Sequence, residues 1–279
     1  MMTSSFPRYE GDHFGPWIWT YVVEMARQGL EVHVLAPQVA AHPTSLEIPE
    51  GVKVHRFAYW WPRRYQKLVH PPGMLPQLRN NVLRLFQIPF LIWSYVRVAR
   101  RIIQREGIQV IHAQWVIPSG FAGAILKKLT KRPLVITSQG AEFYLNHRHP
   151  FSKFTKWTLG NVDRLLPVSQ MMGTRATSYG MDSDRITVVP NAINPIEFHP
   201  GIKTSFRTEH RIPITDTVIL TVRRLVHEKR VEDVISAFGM LDLDRDQANC
   251  WLVIVGDGPE RVNLERIASQ QDVGHRILF

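Results

Sequence analysis

The sequence predicts an α/β fold built on parallel sheets and divided into two domains. Three observations lead there. Short apolar runs alternate with helical patterns of 3.6-residue period along most of the chain. Glycine and polar residues gather just after the apolar runs, at the strand end where open α/β sheets bind ligands. A length of 279 residues suffices for two domains of ordinary size.

The clearest case is Thr217 to Arg261. Val218-Ile219-Leu220-Thr221-Val222 reads as a short buried strand. A basic turn follows from Arg223 to Arg230. A helix is expected from Val231 to Leu241, with Val231, Val234, Ile235 and Phe238 on one face. Trp251 to Val255 is a second strand, and it runs into Gly256-Asp257-Gly258-Pro259.

Composition narrows the class. An apolar fraction of 44% with 21% charged residues belongs to a folded globular chain. The formal charge of +10 favours anionic partners: nucleotides, nucleic acid or an anionic membrane surface. The single cysteine, Cys250, excludes an intrachain disulfide and fits a cytosolic setting. No signal-peptide pattern opens the chain. The most apolar segment, Val82 to Val98, contains Arg84, Gln87, Pro89 and Arg97, which disfavours a spanning helix.

From the amino terminus, Ser4 to Asp12 is loop, and a helix runs from about Trp17 to Gln28 with Gly29 as its stop. Strands are expected at Glu31–Ala36 and Val52–Phe57, with polar loop from His42 to Gly51 between them. Only Met1 to Ser5 remains for the strand that should precede the first helix, so the amino terminus reads as clipped. Ala58 to Met74 is a loop rich in tryptophan, arginine and tyrosine. It suits either contact with a phosphate, sugar or lipid interface, or aromatics capping a core. Val82 to Arg105 reads as one helix kinked at Pro89. Its arginines suit either water or anionic lipid. Further strands are expected at Val110–Ala113, Pro133–Thr137, Arg164–Val168 and Ile186–Val189, with helices at Gly120–Leu129, Phe154–Asn161 and Gln170–Tyr179. The expected domains are 1–200 and 217–279, joined by a polar linker, 201–216. The second holds about two and a half βα units, too small a sheet to cover its apolar faces, so the carboxyl end reads as truncated.

Several segments resemble family-4 retaining glycosyltransferases. Arg224-Leu225-Val226-His227-Glu228-Lys229 followed by Val231 to Phe238 is similar to the family's donor-domain signature. Val253 to Glu260 is similar to the next element. Val188 to Asn194 and Phe198-His199-Pro200 resemble the interdomain segment. Phe6-Pro7-Arg8, Gly11-Asp12 and Phe14 look like the opening loop. The resemblance implies a GT-B architecture: a Rossmann-like acceptor-side domain, then a Rossmann-like donor domain, incomplete here. It implies a nucleoside-diphosphate sugar as donor substrate, no cofactor and no metal.

Carried over by position, Arg224 and Lys229 would hold the donor diphosphate and act as the catalytic pair. Fixed cations stabilise the charge that develops on a leaving phosphate. Arginine supplies a planar fork and lysine a mobile point charge. Gly11 and Gly15 in the opening loop, and Gly256 and Gly258 after the second strand, would bring backbone close to the phosphates or nucleotide. Simple turn glycines satisfy the same pattern.

The departures are specific. Gln139 stands in Thr137-Ser138-Gln139-Gly140 where the family often has histidine, and Gln114 stands where a second histidine after His112 would be familiar. Glutamine hydrogen-bonds a sugar hydroxyl but is no base. Gln139, Gln114 and His112 are therefore acceptor-side candidates, His112 with a buried structural role as its alternative. Arg223 takes a common glycine position. The family's paired glutamates should lie beyond Phe279. The expected function is a retaining glycosyltransferase acting on a polysaccharide, glycolipid or small hydroxylated acceptor. The rival is a non-catalytic nucleotide- or glycan-binding member, or an inactive fragment. The expected setting is the cytoplasm, with peripheral contact at the inner face of an anionic membrane as an option. Nucleic-acid binding lacks any zinc ligand set, RNA-binding motif or recognition helix. A Rossmann oxidoreductase lacks G-x-G-x-x-G after an early strand.

Overall fold

The computed structural model describes residues 1–12, 14–39, 46–69, 73–140, 143, 151–196, 198–200, 205–241 and 249–279. Residues 42–45 of the polar loop, 70–72 of the aromatic loop, Ala141 and Glu142 after the fourth strand, and 201–204 of the proposed linker lie outside that set. The chain forms two compact units, Met1–Ile193 and Asn194–Phe279. Each has a parallel sheet with helices between its strands, so the fold is two Rossmann-like α/β units.

In the first unit the strands are β1 (Val32–Pro37), β2 (Val52–Phe57), β3 (Ile111–Gln114), β4 (Leu134–Ser138) and β5 (Arg164–Pro167). Met2 bridges both Leu35 and Ala113 in parallel, so the opening residues lie between β1 and β3. The ladder there is Thr3 N to Leu35 O at 3.1 Å and Gln114 N to Met2 O at 2.9 Å. The spatial order is β2, β1, Met2, β3, β4, β5, with Ile186 bridging Leu165 at the far edge. The expected strand Ile186–Val189 is reduced to that bridge and to Thr187 N and Val189 N donating to Leu165 O and Pro167 O.

Burial follows from the apolar runs. Every residue of β1 is buried, as in a strand covered on both faces. Val32, Val34 and Ala36 pack with Ile18 and Val22 of α1 (Pro16–Arg27). On the other side Leu35 and Phe57 join Leu91, Tyr95 and Ala99 of α3 (Gln87–Glu106). Tyr95 Oη donates to Thr3 O at 2.6 Å, which satisfies the one polar atom of a fully buried ring. Between these helices comes α2 (Met74–Asn80), a helix not expected from the sequence pattern. The expected single helix from Val82 is two pieces. Val82–Phe86 is a tight turn capped by Asn81 Oδ1 on Leu83 N, and α3 starts afresh at Gln87. Pro89 is thus in the first turn of α3, where its missing N–H has no intrahelical partner to lose. The remaining helices of this unit are α4 (Phe121–Thr130), α5 (Phe151–Gly160) and α6 (Gln170–Ser178).

The second unit contains α7 (Phe206–Glu209), β6 (Thr217–Val222), α8 (Val231–Gly239), β7 (Cys250–Val255), α9 (Arg261–Ser269) and β8 (Ile277–Leu278). The strands run parallel in the order β6, β7, β8. Leu225, Ile235, Phe238, Leu252, Ile254 and Leu264 form its core. On the other sheet face Leu220, Val222 and Val255 are exposed.

Ile136 sits in the middle of β4 with no exposure. Its Cδ1 lies 2.7 Å from where a Cβ on Gly120 would stand. Ile136→Ala is expected to lower the unfolding free energy by roughly 2–5 kcal/mol in denaturant titrations. A loss below about 1 kcal/mol would contradict this packing.

Candidate functional site

Apart from His112, the sequence-predicted residues fall into two groups, one at the strand-end loops of each unit. In the first unit the opening loop is a built structure. Asp12 accepts Arg8 Nε at 2.6 Å, Arg8 Nη2 at 2.9 Å, Arg8 N at 3.0 Å and Phe14 N at 3.1 Å. Burial alone would raise the Asp12 carboxyl. The hydrogen bonds and charge from Arg8, with the Phe14 amide, outweigh it and hold the group below its usual value. Arg56 on β2 reaches under the same loop and donates to Phe6 O and Pro7 O. Burial, then the nearby Arg8 charge, lowers the Arg56 guanidinium to about 10.

Gly11 and Gly15 both have φ near +80° (79° and 85°). They differ in surroundings. A Cβ on Gly15 would meet Ser5 O at 3.1 Å, whereas one on Gly11 would meet nothing within 4 Å. Gly15 is therefore required by close approach as well as by φ, and Gly11 by φ alone.

At the ends of β3, β4 and β5 several polar groups are buried. Gln114 closes β3 at 2% exposure, and its Oε1 has no partner among the described residues. Ser138 Oγ, at the end of β4, and Ser169 Oγ, just past β5, are in the same state. Unsatisfied buried polar atoms are rare, and a ligand or ordered water commonly accounts for them. Gln139 accepts a hydrogen bond from Asn191 Nδ2 at 3.1 Å. Trp115, directly after Gln114, has φ 67° and ψ 145°. For a bulky residue that conformation stores about 1–3 kcal/mol, a strain common beside binding sites.

His112 is placed differently. It is buried, its Nε2 lies 2.8 Å from Thr137 Oγ1, and its ring meets Tyr21 edge-on. Burial, then the nearby amino-terminal charge, lowers it to about 3, so it is neutral at pH 7. It lines a cavity of about 620 Å³ together with Val32, Ile111 and Val110, which belong to the amino-terminal end of the sheet. That cavity also borders the cluster Glu31, His33 and Glu106, whose carboxylates hold Lys53 Nζ at 2.8 and 3.3 Å. His112 thus stands apart from the strand-end loops, and its surroundings are those of a structural histidine.

In the second unit the turn between β6 and α8 contains four cations, and the geometry sorts them. Arg223 Nη1 donates to Lys229 O at 3.1 Å and closes the turn. Arg230, at φ 51°, forms a fork with Asp233 at 2.9 and 2.8 Å. Arg224 and Lys229 are exposed, with no hydrogen bond or ion pair from their side chains among the described residues. They are the two that the resemblance singled out.

The loop after β7 holds this turn in place. Leu225 is fully buried, its N–H donates to Asp257 O at 2.9 Å, and its carbonyl accepts Glu260 N at 3.1 Å. Gly256 and Gly258 have φ of 153° and 158°. A Cβ at either would stand 2.0 Å from Arg223 O or 2.2 Å from Leu225 O. Their glycine identity is explained by this contact between the two loops.

Sequence reading missed Asp12, Arg56, Trp115, Ser138 and Ser169 as site-builders. The Arg8–Asp12 spacing of four was the available signal.

The Asp12 fork gives a pH prediction. With the folded carboxyl held low, its contribution is complete above the ordinary value of 3.8 and is lost as pH falls through the lower folded value. Amide signals of Arg8 and Phe14 should therefore hold their positions down to about pH 4 and move below it, while in Asp12→Asn they are already displaced at pH 7. Unchanged signals in that variant would contradict the role given to the fork.

Comparison with known proteins follows the same division. Residues 17–197 match the model of Glycosyltransferase Family 4, and residues 202–279 match Glycosyl transferases group 1. N-acetyl-alpha-D-glucosaminyl L-malate synthase of Bacillus anthracis is 22% identical, over 82% of this chain and 60% of its own length. Uncharacterized glycosyltransferase MJ1607 of Methanocaldococcus jannaschii is 28% identical, over 74% of this chain and 57% of its own length. The chain thus spans little more than half of these relatives. Among solved structures, Anabaena Alr3699/HepE in complex with UDP superposes with a TM-score of 0.62 at 15% identity, covering 100% of this chain and 67% of that one. The two Rossmann-like units are those of the GT-B fold, and with its family model matched from residue 17 to 197 the chain belongs to Glycosyltransferase Family 4.

Proposed function

We propose that the protein is a retaining glycosyltransferase. It moves a sugar from a nucleoside-diphosphate donor to a polysaccharide, glycolipid or small hydroxylated acceptor. The observation that carries this reading is the sorting of cations in the β6–α8 turn. Two are tied into the fold, and Arg224 and Lys229 remain available at a strand's carboxyl end, where α/β sheets bind ligands. Family membership supports the same reading.

The chemistry follows from charge. The bond between the sugar's anomeric carbon and the diphosphate oxygen breaks, and negative charge gathers on the departing diphosphate. Arg224 offers a planar fork to its oxygens and Lys229 a point charge, both already in place. The acceptor hydroxyl forms the new bond on the face the leaving group vacates. Its proton passes to an oxygen of the leaving diphosphate, so no side-chain base is required. Gln114 and Gln139, with the hydroxyls of Ser138 and Ser169, suit the binding of sugar hydroxyls rather than proton abstraction. Gly11 and Gly15 keep the opening loop's backbone free to approach an anion. Gly256 and Gly258 serve the donor indirectly, by seating the turn that carries the cations. No cofactor belongs to this reading. Its setting is the cytoplasm, with attachment to the inner face of the cell membrane.

The second reading, a nucleotide- or glycan-binding member without transfer, is favoured by one observation. Gln139 occupies the histidine position and accepts a hydrogen bond from Asn191. The two readings part on product.

Incubation with nucleotide sugars, UDP-glucose first, and candidate acceptors should yield a glycoside of the donor's own anomeric configuration. Arg224→Ala and Lys229→Ala should each lower turnover about a hundredfold or more, the scale for removing one such stabilising group. Inverted product, or unchanged turnover in the double variant, would overturn the proposal. Gly258→Ala should weaken donor binding with both cations still present, because the turn must shift away from the added methyl.

A further inference from the structure

The outer side of the first unit carries a surface that the transfer chemistry does not use. Val82, Leu83, Phe86, Phe90 and Trp93 follow one another at spacings of one, three, four and three residues. They form a single stripe along the turn Val82–Phe86 and the first half of α3. All are at least half exposed, from 51% at Phe90 to 70% at Leu83. Trp61, at 82% exposure, belongs to the neighbouring loop. Gln87 Nε2 donates to Tyr65 O at 2.7 Å, and the Trp60 ring meets Phe90 edge-on at 5.0 Å, so loop and helix form one face. Further along the same stripe the apolar residues give way to Arg97, Arg100 and Arg101, all exposed. The Arg97 guanidinium lies 4.9 Å from the Trp93 ring centre, at the border between the two halves.

The charge pattern selects the partner. From Ala58 to Arg105 the sequence has nine lysines and arginines and no aspartate or glutamate, although the whole chain has 24 acidic residues. A second copy of the chain docked symmetrically through this face would set arginines against arginines. An anionic lipid surface accepts both halves: the aromatic stripe enters the acyl boundary and the arginines meet the headgroups. The segment Val82–Glu106 is long enough to span a bilayer, and its most apolar 18-residue window reaches a mean hydropathy of 1.3. Its inner side, however, is committed to the sheet through Leu91, Tyr95, Ala99 and Ile103. A helix so anchored lies on a membrane rather than through it.

We infer that this face of the first unit docks in the plane of an anionic phospholipid membrane, with the Val82–Trp93 stripe inserted and Arg97, Arg100 and Arg101 at the headgroups. This deepens the peripheral attachment included in the reading above, by naming its surface and partner. It needs neither the donor nor the cations of the second unit.

The test is co-sedimentation with vesicles of phosphatidylcholine alone and of equal parts phosphatidylcholine and phosphatidylglycerol. The protein should bind the mixed vesicles far more strongly, and added salt should weaken that preference. Arg97→Gln, Arg100→Gln and Arg101→Gln combined should reduce binding to them about a hundredfold. Phe86→Ser, Phe90→Ser and Trp93→Ser combined should reduce it at least tenfold. Circular dichroism establishes that each variant is folded, and single substitutions replace a combination that is not. Absence of binding to the mixed vesicles, or equal binding by either folded variant, overturns the proposal. So does self-association that the serine variant abolishes without changing vesicle binding. Because no nucleotide sugar enters this assay, its failure leaves the donor-site reading untouched.

Discussion

The functional reading depends on how one buried leucine holds a charged turn. Leu225 enters the core of the second unit while its backbone bonds to Asp257 and Glu260 of the neighbouring strand-end loop. Gly256 and Gly258 allow the two loops to touch at distances no side chain tolerates. With the turn seated in this way, a hydrogen bond fixes Arg223 and an ion pair fixes Arg230. Arg224 and Lys229 are presented to solvent without side-chain partners among the described residues. A phosphate-binding pair needs both conditions, rigid backbone and unengaged charge. Flexible surface cations would lose much of their gain to ordering.

The first unit solves a different problem with different means. Its opening loop has two arginines beneath or within it, yet both serve the loop's own structure: Arg8 through Asp12, Arg56 through the carbonyls of Phe6 and Pro7. What its strand ends offer is neutral polarity, from Gln114, Ser138 and Ser169, beside the strained backbone of Trp115. Cations on one unit and neutral hydrogen-bonding groups on the other suit a donor that carries a diphosphate and an acceptor that carries hydroxyls.

Much of the fold was legible because burial and turn chemistry leave direct marks. The run Val52–Phe57 is a strand as read, and Gly29 and Gly180 end their helices at φ of 85° and 88°. The failures share a cause. Pro89 was read as a kink, but it stands third in α3, where proline is tolerated, as does Pro76 in α2, a helix not expected from the sequence. α2 also buries no residue fully, so it lacks the apolar face that announces a helix. At the sites, Arg224 and Lys229 were marked by resemblance. Their distinction from Arg223 and Arg230 needed the turn's geometry, because four cations within eight residues look alike in one dimension. The outward stripe on α3 was hidden for a related reason: periodicity shows that apolar residues share a face, not which face meets the sheet.

The central claim, that Arg224 and Lys229 are the diphosphate-binding pair, is tested most directly by observing arginine Nε–H and lysine side-chain signals by NMR while a nucleoside diphosphate is added. The account predicts saturable shifts at Arg224 and Lys229, with Arg230 unmoved in its pairing with Asp233. Shifts confined to other cations, or none at Arg224 and Lys229 under saturating ligand, would contradict it.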